Sequence, residues 1–175
     1  METLKIVETP PESFPLVAGL TPAAEALNAA MIWQRIEAYI VWRWVSRPVI
    51  WTVQGGGDWE PPLTPVVITQ AFSWTGDAWA PFEPEFGPEG FILPDGMSKV
   101  EATVGLDEVP PAAVLEAFRR LAEYLAAEPI RVVGASSYSI NMGQVSESIN
   151  RHPAFMARAL DNSGAADLLR PYRRV

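Results

Sequence analysis

The sequence predicts an α+β fold in which two amphipathic helices flank a β-rich middle region. Apolar residues recur at helical spacing in two segments, at about 22–46 and about 110–128, and strand-like patterns fill the region at about 49–106. A chain of 175 residues is long enough for one domain with a substantial core. We place this single domain at 21–164.

The chain begins with a segment that has no regular periodicity. Residues 1–20 contain three prolines and only isolated apolar side chains, so we expect an extended N-terminal arm. The first helix follows, with Thr21 as its N-cap and Pro22 at its first position. Its apolar stripe is formed by residues at every fourth position: Ile32, Ile36, Ile40 and Trp44.

The middle region combines short strands with turns. The TGD turn at 75–77 lies between two strand-like segments and predicts a hairpin. Near 97–104, apolar and polar residues alternate, which predicts a strand with one buried and one solvated face. The two faces are Val100, Ala102 and Val104 against Lys99, Glu101 and Thr103.

The second helix begins after two prolines, Pro110 and Pro111, and ends before Pro129. Its predicted stripe is Val114, Phe118, Leu121 and Leu125. The remaining sequence predicts a short strand with a polar loop, then one or two short helices broken near Pro153. A C-terminal tail at 165–175 completes the chain.

The charge of the chain is unevenly distributed. The formal net charge is -8, but residues 151–175 hold five basic and two acidic side chains, so the rest of the chain carries -11. Residues 58–108 contain ten acidic residues and one basic residue, Lys99. Such a body opposes the phosphate neutralisation that drives binding to nucleic acid. The basic tail either folds back onto this acidic body or contacts another molecule.

Composition also indicates where the protein acts. There is no cysteine, so disulfides and thiol chemistry are excluded. The N-terminal sequence lacks the apolar run of a signal peptide, and no apolar stretch is long enough to span a bilayer. We therefore expect a soluble, non-secreted protein.

No group of residues predicts catalysis. His152 is the only histidine, and it lies beside Pro153 at an expected helix junction, so we interpret it as structural. The glycine run at 54–59 lacks the Lys-Ser/Thr pair of a phosphate-binding loop. Three clustered acidic residues do not have the spacing of a calcium loop: Glu83, Glu85 and Glu89. We expect no enzymatic activity, no cofactor and no metal.

Four segments, in their order along the chain, resemble one family of virion proteins. They are IEAYIVWRWVSRPVIWTVQ at 36–54, PPLTPVVITQAFSWTGDAWAPF at 61–82, EVPPAAVLEAFRRLAEYLAAEP at 108–129 and DLLRPYRRV at 167–175. Together they resemble the head–tail connector family, also called adaptor or head-completion proteins, of long-tailed phages and gene transfer agents. A terminal LL-x-PYR is typical of that family.

The resemblance implies a structural role in the virion neck, after synthesis in the host cytoplasm. Such adaptors form a ring, usually twelve-fold, between the portal and the stopper or tail terminator, and they enclose the DNA channel. The implied partners are further copies of the chain, the portal protein and the stopper, with no membrane contact. DNA would pass through without specific binding. The implied fold is a small helical bundle with an inserted antiparallel β-hairpin region and extended N- and C-terminal arms.

The resemblance also implies a portal-binding site in the tail. Its residues would be Leu168, Leu169, Arg170, Pro171, Tyr172, Arg173 and Arg174. The leucines would be buried against the portal, at about 1.5–3 kcal/mol for each fully buried side chain. Tyrosine and arginine are frequent interface anchors.

Two other interpretations remain open at this point. The first is a stopper or tail-completion protein, a class that is more β-rich and lacks two long helices. The second is an oligomeric binding module outside a virus.

Overall fold

The computed structural model describes residues 1–127, 137–142, 145–150 and 157–174. Its helices are α1 (Pro22–Glu25), α2 (Ala29–Ile40), α3 (Ala112–Ala126), α4 (Ala159–Asn162) and α5 (Ala165–Leu169), followed by a 3₁₀ turn at Arg170–Tyr172. Its strands are β1 (Glu2–Glu8), β2 (Arg47–Gln54), β3 (Gly57–Trp59), β4 (Val66–Trp74), β5 (Trp79–Phe82), β6 (Glu85–Gly87), β7 (Gly90–Leu93), β8 (Met97–Val104), β9 (Ser137–Met142) and β10 (Val145–Asn150).

The described strands form three antiparallel sheets. One has five strands in the order β1-β2-β8-β4-β5, one has three in the order β3-β7-β6, and β9 pairs with β10. The predicted helical bundle with an inserted hairpin region is therefore wrong, because antiparallel sheet is the main structure and the longest described helix has 15 residues. The C-terminal arm is not extended either, since it contains α5 and the 3₁₀ turn.

The chain divides into two compact units. The sheet unit consists of Met1–Pro15, Glu37–Pro110 and Tyr172–Val175. The helical unit consists of Leu16–Ile36 and Pro111–Pro171.

The core of the sheet unit is formed mainly by β2 and β8. Alternate residues of β2 are buried, and the predicted alternation of β8 is confirmed. Trp51 of β2 lies opposite Val100 of β8 and packs edge-on against Trp59, with 5.4 Å between ring centroids. Burying each such side chain stabilises the fold by about 1.5–3 kcal/mol.

The first part of the expected N-terminal arm is an edge strand. β1 pairs antiparallel with β2, so that Ile6 lies opposite Trp51 and Glu8 lies opposite Val49. These two strands are separated in sequence by the whole of α1 and α2. The pairing therefore could not be read from local periodicity.

The first predicted helix is divided and shorter in the structure. α2 ends at Ile40, and Val41 adopts a left-handed backbone conformation with φ of 61°. The backbone N–H of Arg43 then donates to the carbonyl oxygen of Thr64 at 2.7 Å instead of continuing the helix. Trp44 is buried, as its place on the stripe predicts, but it lies outside the helix.

The helical unit is built around α3. All four residues of its predicted stripe are buried, and Trp33 packs on Phe118 with 5.0 Å between ring centroids. The backbone N–H and the hydroxyl of Thr21 both donate to the Glu123 carboxylate, each at 2.7 Å. These hydrogen bonds, led by the backbone one, lower the pKa of Glu123 and join the start of α1 to α3.

Candidate functional site

The segment that resembles a portal anchor begins inside the core of the helical unit. α5 packs against α3, and Leu169 has no exposed surface. Leu168 is half-buried. Leu169 is therefore already buried within its own chain, and its apolar surface contributes to folding.

The residues that follow Leu169 are more accessible. Arg170, Pro171 and Arg173 are exposed, and Tyr172 is half-buried. Arg170 lies 3.5 Å from Asp167, and both side chains are 78% exposed. An ion pair this exposed contributes little to stability, so the guanidinium of Arg170 stays accessible to a partner.

The last two arginines contact the sheet unit, to which they belong. The guanidinium of Arg174 forms an ion pair with Glu60 and donates to the carbonyl oxygen of Pro61 at 3.1 Å. The guanidinium of Arg173 lies 5.3 Å from the ring centroid of Tyr39, a cation–π distance. The end of the tail thus folds back onto an acidic residue of its own chain, which was one of the two alternatives raised by the charge distribution.

A cluster of four charged side chains lies inside the sheet unit: Glu8, Glu37, Arg43 and Arg47. The side chains of Glu37 and Arg47 are each only 3% exposed, and the nearest nitrogen and oxygen are 2.5 Å apart. Arg43 donates to both carboxylate oxygens of Glu8, at 2.6 and 2.9 Å. The cluster joins β1, the end of α2 and the start of β2.

Burial and pairing act in opposite directions on Glu37. Burial raises its pKa, whereas the hydrogen bond and charge of Arg47 and the charge of Arg43 act to lower it. Two charges this deep are tolerated only when they are paired and hydrogen-bonded. Sequence analysis did not identify this cluster. The available signal was the presence of Glu37, Arg43 and Arg47 within an otherwise apolar segment.

The outer face of the five-stranded sheet is partly apolar. The large apolar side chains exposed there include Val7, Ile50, Val67 and Trp79. Lys99 lies among them, with its Nζ atom 4.2 Å from the ring centroid of Phe72 and 2.8 Å from the Glu101 carboxylate. A face that mixes apolar, aromatic and paired charged groups is suited to contact with another protein.

The acidic residues of 58–108 lie mostly at the surface. Nine of the ten are exposed, and Glu101 is half-buried. No three acidic, histidine or cysteine residues are grouped as metal ligands within the part of the chain that the structure describes. His152 lies outside the described residues.

Within the described ranges, no helix is long and apolar enough to cross a membrane.

The chain was compared with known proteins at three levels. No match to this chain was found among protein-family models, curated proteins or solved structures.

Proposed function

We propose that this chain is a structural protein of the virion neck, a head–tail adaptor that forms a ring between the portal and the stopper or tail and encloses the DNA channel. One observation carries the proposal, the terminal DLLRPYRRV and its resemblance to the connector family. Of its residues, Arg170, Pro171 and Arg173 are exposed and available to a portal.

The surface chemistry supports this role in two ways. Exposed carboxylates in 58–108 would repel DNA that passes close to them, so that it does not adhere. The partly apolar outer face of the five-stranded sheet would suit contact with a neighbouring copy or a neck partner. Leu169 has no part in the proposed contact, because it is buried in its own chain.

A stopper or tail-completion protein is the second candidate, and the fold favours it. That class is more β-rich and lacks two long helices. The described part of the chain has a five-stranded sheet, and its longest helix, α3, has 15 residues. Both candidates are neck proteins. They differ in whether the chain contacts the portal directly.

Portal binding separates the two candidates. We expect the purified chain and the portal protein of the same genome to elute together in size-exclusion chromatography with light scattering. Replacing both Arg170 and Arg173 by glutamate should weaken this complex about tenfold or more, because both residues are exposed and the change reverses the charge of the proposed contact. The double variant Arg120→Glu and Arg158→Glu is the matched control, since both are exposed arginines outside the terminal segment and the change in net charge is the same.

The adaptor assignment fails if the wild-type chain does not bind the portal. A chain that binds only after another neck protein has occupied the portal would be a stopper. Equal weakening by the double control variant would mean that only net charge matters and that the terminal segment has no specific role.

A further inference from the structure

Strand β4 has one edge that is only partly paired. On one side it pairs with β8 from Val66 to Ser73, whereas on the other side β5 pairs only with 71–74. Within the described ranges, residues 66–70 therefore present an open strand edge. Because backbone N–H and C=O groups point alternately to the two sides of a strand, such an edge can pair with an added strand.

The opposite edge of the same sheet is less suited to pairing. β1 carries three charged residues, Glu2, Lys5 and Glu8, and charged side chains discourage strand addition. Residues 66–70 carry no charge. The bulged residue Thr69 is held in place, because its hydroxyl donates to the carbonyl oxygen of Glu101 at 2.9 Å.

The open edge lines a groove of about 550 Å³. The remaining lining includes three aromatic rings: Phe82, Phe86 and Phe91. Phe86 is 84% exposed, and its ring centroid lies 4.7 Å from that of Phe91. An open strand edge beside exposed aromatic rings matches the way in which proteins bind extended peptides, with backbone hydrogen bonds on one side and side-chain contacts on the other.

The charge of the groove indicates the charge of its ligand. Glu83 is the one charged residue in the described lining. Glu85 and Glu89 lie in the same segment and are exposed. A basic side chain would therefore be attracted to this groove, and a guanidinium could also stack on the aromatic rings.

We propose that the groove binds an extended segment of a partner protein in which apolar residues alternate with arginine or lysine. The segment adds as a strand to 66–70, a length of about 17 Å. Its apolar side chains contact Phe86 and Phe91, and a basic side chain pairs with Glu83. This proposal is independent of the neck assignment, because it concerns strand addition by a partner of any origin.

A synthetic peptide of alternating valine and arginine tests the proposal. We expect it to bind the full chain in a calorimetric titration. The same peptide with N-methylated backbone at alternate residues keeps its side chains and charge but loses the donors of one edge, so it should bind about tenfold more weakly or worse. A valine–glutamate peptide should not bind.

Two variants of the chain complete the test. Phe86→Asp should weaken binding of the valine–arginine peptide about tenfold or more, since it removes an exposed ring from the groove. Val109→Asp is the matched control, because Val109 is 85% exposed, does not line the groove and receives the same charge. Circular dichroism should show that both variants remain folded.

Three outcomes would overturn the proposal. The first is absence of binding by the valine–arginine peptide. The second is equal binding by the N-methylated peptide, which would indicate attraction by net charge alone. The third is self-association of the chain that Phe86→Asp abolishes and Val109→Asp does not, because a second copy would then occupy the groove.

Discussion

Replacing Arg47 by alanine is expected to lower the free energy of unfolding by about 3–5 kcal/mol. The variant leaves Glu37 buried without the guanidinium that lies 2.5 Å from its carboxylate. A buried charge without its partner is among the most destabilising changes that a single substitution can make. Urea denaturation followed by tryptophan fluorescence measures the effect.

A double variant provides the control for this prediction. Replacing both Glu37 and Arg47 by methionine removes the pair without leaving a charge unpaired, so we expect a smaller loss of stability than in Arg47→Ala. A loss of less than about 1 kcal/mol in the single variant would show that the pair is not buried as described.

Leu169→Ala is expected to lower the free energy of unfolding by about 2–5 kcal/mol. Leu169 has no exposed surface, and its truncation leaves a cavity where α5 packs into the helical unit. Thermal or urea denaturation measures the loss.

Arg170→Ala is the matched comparison, because Arg170 follows Leu169 directly and is exposed. We expect it to change stability by no more than about 0.5 kcal/mol. Unchanged stability in Leu169→Ala would contradict the packing of α5 and return Leu169 to the set of available anchor residues. A chain that ends at Gly164 would lose Leu169 as well, so truncation cannot separate folding from docking.

Local patterns in the sequence predicted individual faces well. The stripe of α3 and the alternation of β8 depend on residues that are close in sequence, and both stripe and inner face are buried in the structure. The periodicity of the first helix was misleading beyond Ile40. Trp44 continues the apolar spacing, but the chain leaves the helix at Val41.

The arrangement of the sheets could not be predicted from such patterns. The predicted hairpin at the TGD turn is confirmed, because β4 and β5 are neighbours in sequence and pair directly. The order β1-β2-β8-β4 instead joins strands that are distant in sequence, and their register depends on pairings between segments and not on periodicity within one. The same reason explains the missed Glu8–Arg43 pair, which spans 35 positions. Arg174 was placed in the portal site from its position in the tail, yet it pairs with Glu60 of its own unit.

Electron microscopy of particles made without this chain tests the proposed neck function most directly. If the gene for this chain is deleted from the genome that encodes it, we predict filled heads and separate tails that do not join. The wild-type gene should restore tailed particles, and a gene with both Arg170→Glu and Arg173→Glu should restore few. Tailed particles in normal numbers after the deletion would contradict the account.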